Sequence, residues 1–171
     1  MPRMDEIQRL CFLDTSAIAK LYIKEPGSRR LVNWVGHPAL GFRSSVRVYV
    51  ARTILPEAIS AITRRRNDGR VDRRDVLRLW NSVFADFSRA TTRYEVVELT
   101  EAVALRAAFL VAKHGLRGYD AVQLASALSL QIHRDPTQPL VFICADHNLS
   151  AAARAEGLDA ANPVTDQRRS P

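Results

Sequence analysis

The sequence predicts a single α/β domain in which a parallel sheet is covered by helices on both faces. Two observations predict it. Short apolar runs alternate along the chain with longer segments whose apolar residues recur three and four positions apart. The short runs are also nearly continuous, which is typical of strands buried on both faces. We therefore expect a three-layer α/β/α fold with no domain boundary within the 171 residues.

The first half of the chain predicts two strands and four helices. In chain order these are a strand over residues 10–13, a helix over 17–23, a helix over 28–35 capped by Ser28, a strand over 46–50, a helix over 54–66 and an amphipathic helix from Asp72 to Phe87. The break between the last two helices is Asn67-Asp68-Gly69. They are therefore expected to form a helical hairpin.

The second half predicts two further strands, each flanked by helices. In chain order these are a strand over 94–99, a helix from Thr100 to His114, a helix beginning at Gly118, a strand over 140–144 and a helix that Asp146 opens and Glu156 ends. The residues after Asn162 are polar, and we expect a frayed tail.

Composition restricts the partners and the compartment. The formal net charge of +7 favours attraction to a polyanion such as nucleic acid, although an acidic protein partner would also fit. The start of the chain is polar, and no apolar run approaches the roughly 18 residues of a membrane helix, so we expect a cytoplasmic protein without a membrane partner. Cys11 and Cys144 lie in apolar runs and are expected to be buried, reduced thiols.

Four acids stand at or near the openings of predicted helices. Asp14 and Asp146 follow the ends of apolar strands, and Glu57 lies in the first turns of the helix after another strand. Because the carboxyl ends of parallel strands share one edge of the sheet, these acids should open into the same crevice. Asp120 lies near the start of its helix, on the side that turns inward.

Four carboxylates in one crevice would repel one another unless a cation relieved them. Oxygen ligands suit a hard ion such as Mg²⁺ or Mn²⁺, and such an ion can activate water for attack on a phosphodiester. Zinc is not expected, because the histidines lack ligand spacing; they are His37, His114, His133 and His147.

Other interpretations stay open at this point. Each acid could simply cap a helix or be solvated in its first turn, which would leave a nucleic-acid-binding or partner-binding module without catalysis. A phosphoryl-transfer enzyme using Asp14 as nucleophile is disfavoured, because a second acid would be wanted where Ser16 stands.

The motifs resemble those of the PIN-domain ribonucleases, and more narrowly of VapC-type toxins. The matching segments are Leu13-Asp14-Thr15-Ser16-Ala17, Lys20-Leu21-Tyr22, Glu25-Pro26-Gly27-Ser28, Pro56-Glu57-Ala58, Gly118-Tyr119-Asp120-Ala121 and Ala145-Asp146. They occur in the family's order and span about residues 10–160.

The resemblance implies an endoribonuclease that cleaves RNA with Mg²⁺ or Mn²⁺ and is inhibited by a VapB-type antitoxin; a PIN-domain RNA-processing nuclease that is not a toxin is the alternative. It implies that Asp14, Glu57, Asp120 and Asp146 are catalytic and bind the metal. Ser16 would hydrogen-bond within the site. Homodimers are usual in the family.

Arginines crowd the turn of the predicted hairpin. They are Arg64, Arg65, Arg66, Arg70, Arg73 and Arg74. They could form a solvated loop or an arm that contacts phosphate or antitoxin carboxylates. Arg117, which precedes the helix of Asp120, is a further candidate for binding substrate.

Overall fold

The structure is a computed structural model and describes residues 8–88 and 93–167. Within these ranges the helices are α1 (Thr15–Tyr22), α2 (Ser28–Val35), α3 (Ile54–Asn67), α4 (Arg73–Ser88), α5 (Glu101–His114), α6 (Gly118–His133) and α7 (His147–Ala155). The strands are β1 (Arg9–Leu13), β2 (Gly36–His37), β3 (Gly41–Phe42), β4 (Val46–Ala51), β5 (Glu95–Val97), β6 (Leu140–Ile143) and β7 (Asp159–Ala161). The polar start of the chain, residues 1–7, and the end of the predicted tail, residues 168–171, lie outside the described residues.

A parallel sheet forms the centre of the fold. Among the described residues its strand order is β5-β4-β1-β6-β7, and each neighbouring pair is parallel. Strand β1 lies in the middle, between β4 and β6. The carboxyl ends of these three strands therefore meet at one edge, as the sequence predicts.

The sheet separates two hydrophobic cores. On β1, Cys11 and Leu13 face one core and Leu10 and Phe12 face the other, as the alternation of side chains along a strand requires. Helices α1 to α4 pack on the first face and α5 to α7 on the second. The three-layer α/β/α arrangement is thus confirmed.

Helices α3 and α4 form the predicted hairpin. Gly69 takes a positive φ of 70° in the connection between them. The hairpin is tied to the domain by the Tyr22 hydroxyl, which donates to Asp86 at 2.9 Å, and by the stacking of Phe87 on Tyr94 with ring centroids 4.6 Å apart. No helix within the described ranges is both long and apolar enough to span a bilayer.

The sequence prediction is wrong at the start of α2 and at the tail. Gly27, at φ 90°, caps α2, while the Ser28 hydroxyl donates to the Ile23 carbonyl. Residues 159–161 form β7, which the sequence analysis missed together with β2 and β3. The start of the predicted tail is held against the domain, because Arg30 donates to the carbonyls of Pro163 and Val164 at 2.9 Å each and the Asp166 amide donates to the Asn162 carbonyl at 2.9 Å.

The short hairpin of β2 and β3 requires glycine at position 36. Gly36 has φ 93°, and a Cβ there would lie 2.8 Å from the carbonyl oxygen of Gly41. We expect Gly36→Ala to lower the free energy of unfolding by about 1–3 kcal/mol in urea titrations. The control is Gly118→Ala, where nothing lies within 4 Å and φ is ordinary. Equal stability of the two variants would contradict this account.

Candidate functional site

Three neighbouring strands deliver acids to the same edge of the sheet. Asp14 directly follows β1, Asp146 lies three residues after the end of β6, and Glu57 lies in the first turn of α3, which follows β4. Asp120 reaches the same region from the first turn of α6.

Asp14 is a buried carboxylate held by neutral donors. Its side chain is 4% exposed. Oδ1 accepts hydrogen bonds from the Ser16 hydroxyl and the Ala17 amide at 2.8 Å each, and Oδ2 accepts one from the Cys144 thiol at 3.1 Å. Burial raises the pKa of Asp14 to about 6, and the hydrogen bonds from Ala17, Cys144 and Ser16 oppose that rise.

Ser16 and Cys144 join the ends of β1 and β6. The Ser16 oxygen accepts a hydrogen bond from the Ala145 amide at 2.8 Å, and the Cys144 sulfur accepts one from the Asp146 amide at 3.2 Å. Burial, and then the charge of Asp14, raise the pKa of the Cys144 thiol, so that the thiol stays protonated and can donate. Contacts therefore run from the Asp14 carboxylate through the Cys144 thiol to the backbone of Asp146.

Asp120 and Asp146 interact through their charges. Burial raises the pKa of Asp120, the charge of Asp146 raises it further, and Arg117 lowers it. The Asp146 carboxylate also caps α7 by accepting from the Leu149 amide at 2.8 Å. Asp120 is no cap, because residue 117 is the N-cap of its helix.

Glu57 is fixed by a second set of neutral donors. Its Oε1 accepts from the Thr53 hydroxyl at 2.9 Å and from the Gln123 amide at 2.8 Å, and its Oε2 accepts from the Thr15 hydroxyl at 2.5 Å. Since Thr15 is the neighbour of Asp14 in the chain, this set links the second acid to the first.

Several of these orienting residues were missed by sequence reasoning. Cys144 was interpreted as a core thiol, and its burial is confirmed, whereas Gln123 was not singled out; both side chains contact acids. The available signal was position: Cys144 stands two residues before Asp146, and Gln123 stands three after Asp120.

A cavity of about 440 Å³ opens beside two of the acids. Its lining residues are Thr15, Pro56, Glu57, Ser60, Arg64, Arg117, Gly118, Tyr119 and Asp120. The structure thus brings Arg117 next to Glu57 and Asp120. A larger cavity, of about 970 Å³, lies between α1, α2 and Pro163, away from the four acids.

The acids share one edge of the sheet without forming an assembled metal centre. Within residues 8–88 and 93–167, no three histidine, cysteine, aspartate or glutamate side chains stand close enough together to hold a metal ion. The capping interpretation holds for Asp14 and Asp146, whose side chains accept helix amides. It does not hold for Glu57 and Asp120. The donor chemistry, carboxylate oxygens without thiolate or imidazole, suits a hard divalent ion.

The arginine cluster divides into different roles. Arg65 forms a two-bond ion pair with Glu25, at 2.8 and 3.0 Å, and Glu25 also pairs with Lys20 at 2.8 Å. Arg64 instead donates to the Ser60 hydroxyl at 3.0 Å and lines the smaller cavity. Arg65 therefore serves the fold, whereas Arg64 faces the candidate site.

Comparison with known proteins gives concordant matches. The sequence pattern of the PIN domain matches residues 11–155. Two relatives from Mycobacterium tuberculosis are Ribonuclease VapC45 (strain CDC 1551 / Oshkosh) and Ribonuclease VapC49 (strain ATCC 25618 / H37Rv). Each is 35% identical over 152 residues, which cover 86% of this chain and 92% of the relative. The crystal structure of PAE2754 from Pyrobaculum aerophilum superposes with a TM-score of 0.58 at 20% identity, over 89% of this chain and 83% of that one. This last similarity supports the fold.

The buried Asp14 carboxylate predicts a pH-dependent stability. Because its pKa rises from 3.8 to about 6 on folding, the folded protein holds this proton more tightly. The contribution of Asp14 to stability should therefore fall between about pH 4 and pH 6 and stay lowered above that window. The full cost of the ionised group is about 3 kcal/mol.

We expect Asp14→Asn to lack this cost. In urea titrations with chelator present, the variant should be more stable than the wild type at pH 7.5 by up to about 3 kcal/mol, with the difference nearly gone at pH 4. A stability difference that is the same at both pH values would contradict the assignment.

Proposed function

The chain belongs to the PIN domain family, and from that premise we propose that it is a metal-dependent endoribonuclease that cleaves RNA phosphodiester bonds. The family match at residues 11–155 includes all four acids, and the two mycobacterial relatives are named ribonucleases. The observation that carries the proposal is the convergence of Asp14, Asp146 and Asp120 at one edge of the sheet, where the Cys144 thiol contacts the Asp14 carboxylate and the Asp146 backbone, and the charge of Asp146 acts on Asp120.

The proposed cofactor is Mg²⁺ or Mn²⁺. Asp14, Glu57, Asp120 and Asp146 would hold it, directly or through water. The mutual repulsion of Asp120 and Asp146, and the buried negative charge of Asp14, are the features that a cation would relieve. When bound, such an ion supplies an activated water and stabilises charge on the leaving oxygen.

The remaining residues orient these acids. Ser16 and Cys144 fix the Asp14 carboxylate from two sides, and Thr15, Thr53 and Gln123 fix that of Glu57. All are neutral donors, so they hold the carboxylates in place without cancelling their charge. Arg117 is the proposed contact for a substrate phosphate beside Asp120.

We also propose that the protein is the toxin of a toxin–antitoxin pair, inhibited by a VapB-type antitoxin, and that it forms a homodimer. The relatives' name, VapC, supports the proposal that the protein is a toxin.

Two exposed apolar side chains on α5 support the proposed homodimer interface. Leu105 and Phe109 lie one turn apart and are 57% and 75% exposed. The single sheet shared by both cores supports our inference that the chain is one domain.

A non-catalytic nucleic-acid-binding or partner-binding module is the second candidate. It is favoured by the capping bonds of Asp14 and Asp146 and by the lack of a grouped metal centre among the described residues. It predicts RNA binding that is independent of metal and is not followed by cleavage.

Cleavage by acid variants distinguishes the two candidates. We expect Asp14→Asn, Asp120→Asn and Asp146→Asn each to lower the rate of RNA cleavage in Mg²⁺ by about a thousandfold, since several kcal/mol of charge stabilisation are lost. Growth inhibition on expression should be lost with it. The fold should persist, as circular dichroism would report.

The matched control is Asp75→Asn, which removes an acid that pairs with Arg78 on α4. This variant should cleave as the wild type does, and chelator should stop both. If the three site variants cleave RNA at the control's rate, the nuclease assignment is wrong.

Cys144 is expected to act by positioning Asp14. Cys144→Ser keeps a donor of similar size, whereas Cys144→Ala removes it. If the hydrogen bond to the charged Asp14 supports catalysis, its loss in the alanine variant should lower kcat about tenfold or more. The serine variant should have a kcat close to that of the wild type. Equal kcat for the two variants, both shown to be folded, would assign the thiol a packing role only.

A further inference from the structure

The cavity beside Glu57 and Asp120 is also lined by residues that the proposed cleavage chemistry does not use, among them Tyr119 and Arg64. Resting on the proposed function, we infer that this cavity binds one nucleotide of single-stranded RNA next to the cleaved phosphate, with the Tyr119 ring stacking on its base and Arg64 and Arg117 contacting its phosphates. Tyr119 and Arg64 would then be specificity-determining residues.

The size of the cavity suits a single nucleotide. Its volume of about 440 Å³ lies within the range of roughly 300–1,000 Å³ for small-ligand sites. A stacked duplex would not enter a space of this size. An unpaired base, in contrast, can be turned out of the strand into such a pocket.

Tyr119 is an exposed aromatic residue in a position fixed by α6. Its side chain is 59% exposed although it lines the cavity. It lies in the first turn of the helix, directly before Asp120, so its backbone position relative to that acid is fixed. Exposed aromatic rings next to basic side chains are the usual platform for unpaired bases.

Arg64 and Arg117 counter the negative charge of the cavity wall. The wall contains Glu57 and Asp120, which alone would repel a phosphodiester. Arg64 is held by its hydrogen bond to Ser60, and Arg117 lies close enough to Asp120 to lower its pKa. Guanidinium groups are strong phosphate donors, so Arg64 on α3 and Arg117 at the N-cap of α6 would bind the phosphates on either side of the base.

An acidic segment of a partner protein is the competing occupant. The two carboxylates of the wall repel both anions, but the exposed Tyr119 ring favours RNA, because it offers a stacking face that a base would use and an acidic side chain would not. The Ser60 hydroxyl, which accepts from Arg64, still has its proton to donate to a base or ribose.

Binding of a short, fluorescein-labelled single-stranded RNA tests the proposal. Anisotropy is measured in chelator, so that binding is read without cleavage. We expect Tyr119→Ala to weaken binding about 5- to 150-fold, the range of one base–aromatic stack, and Tyr119→Phe to stay within about twofold of the wild type.

A second binding experiment compares Arg64→Ala with Arg70→Ala. Both variants lose one positive charge from the same cluster, but only Arg64 lines the cavity. The slope of log Kd against log salt should fall by about one for Arg64→Ala and stay unchanged for Arg70→Ala.

The outcomes separate this proposal from the proposed function. If RNA is cleaved but Tyr119→Ala leaves Kd and KM unchanged, the nucleotide site is wrong and the nuclease stands. If no cleavage occurs but Tyr119→Ala weakens RNA binding as expected, the nuclease is wrong and the nucleotide site stands. Equal effects of Arg64→Ala and Arg70→Ala, or unaltered RNA binding by Tyr119→Ala with loss of partner-protein binding, would also overturn the nucleotide site.

Discussion

A carboxylate buried at the end of the central strand is the constraint on which the candidate site depends. Asp14 is almost fully enclosed, and its partners Ser16, Ala17 and Cys144 are all neutral donors. A charge held in this way is costly for the folded protein, since hydrogen bonds offset only part of the loss of water. The parallel sheet makes this position unavoidable, because the chain must leave β1 where β4 and β6 also end. The fold therefore concentrates negative charge where a cation would be most stabilising.

Much of the fold followed from the sequence because its long elements have strong patterns. The apolar runs of β1 and β6 and the periodic helices each bury enough surface to fix their own structure. Strands β2, β3 and β7 have only two or three residues, and neighbouring segments determine them. The start of α2 was assigned to Ser28 because serine is a good cap, yet Gly27 takes the cap position with a positive φ that only the structure reveals.

The candidate acids could be selected from the sequence, but the contacts that orient them could not. Position after a strand or at a helix opening identified Asp14, Asp146 and Glu57, since parallel topology places such residues together. The donors are determined by contacts between distant segments: Gln123 reaches Glu57 across 66 positions and Cys144 reaches Asp14 across 130. Local pattern cannot report such pairs. For the same reason the sequence could not separate the roles within the arginine cluster, in which Arg65 pairs with Glu25 while its neighbour Arg64 faces the cavity.

The most direct test of the central claim is a crystal structure of the protein soaked in Mn²⁺, recorded at a wavelength where manganese scatters anomalously. The account predicts one or two anomalous peaks bounded by the carboxylates of Asp14, Glu57, Asp120 and Asp146, with oxygen ligands about 2.1 Å away, as for a hard divalent ion. A peak elsewhere, or no peak at saturating Mn²⁺ in a folded protein, would contradict it. In that case the four acids would be helix caps and first-turn acids, and their position at one edge of the sheet would not reflect metal binding.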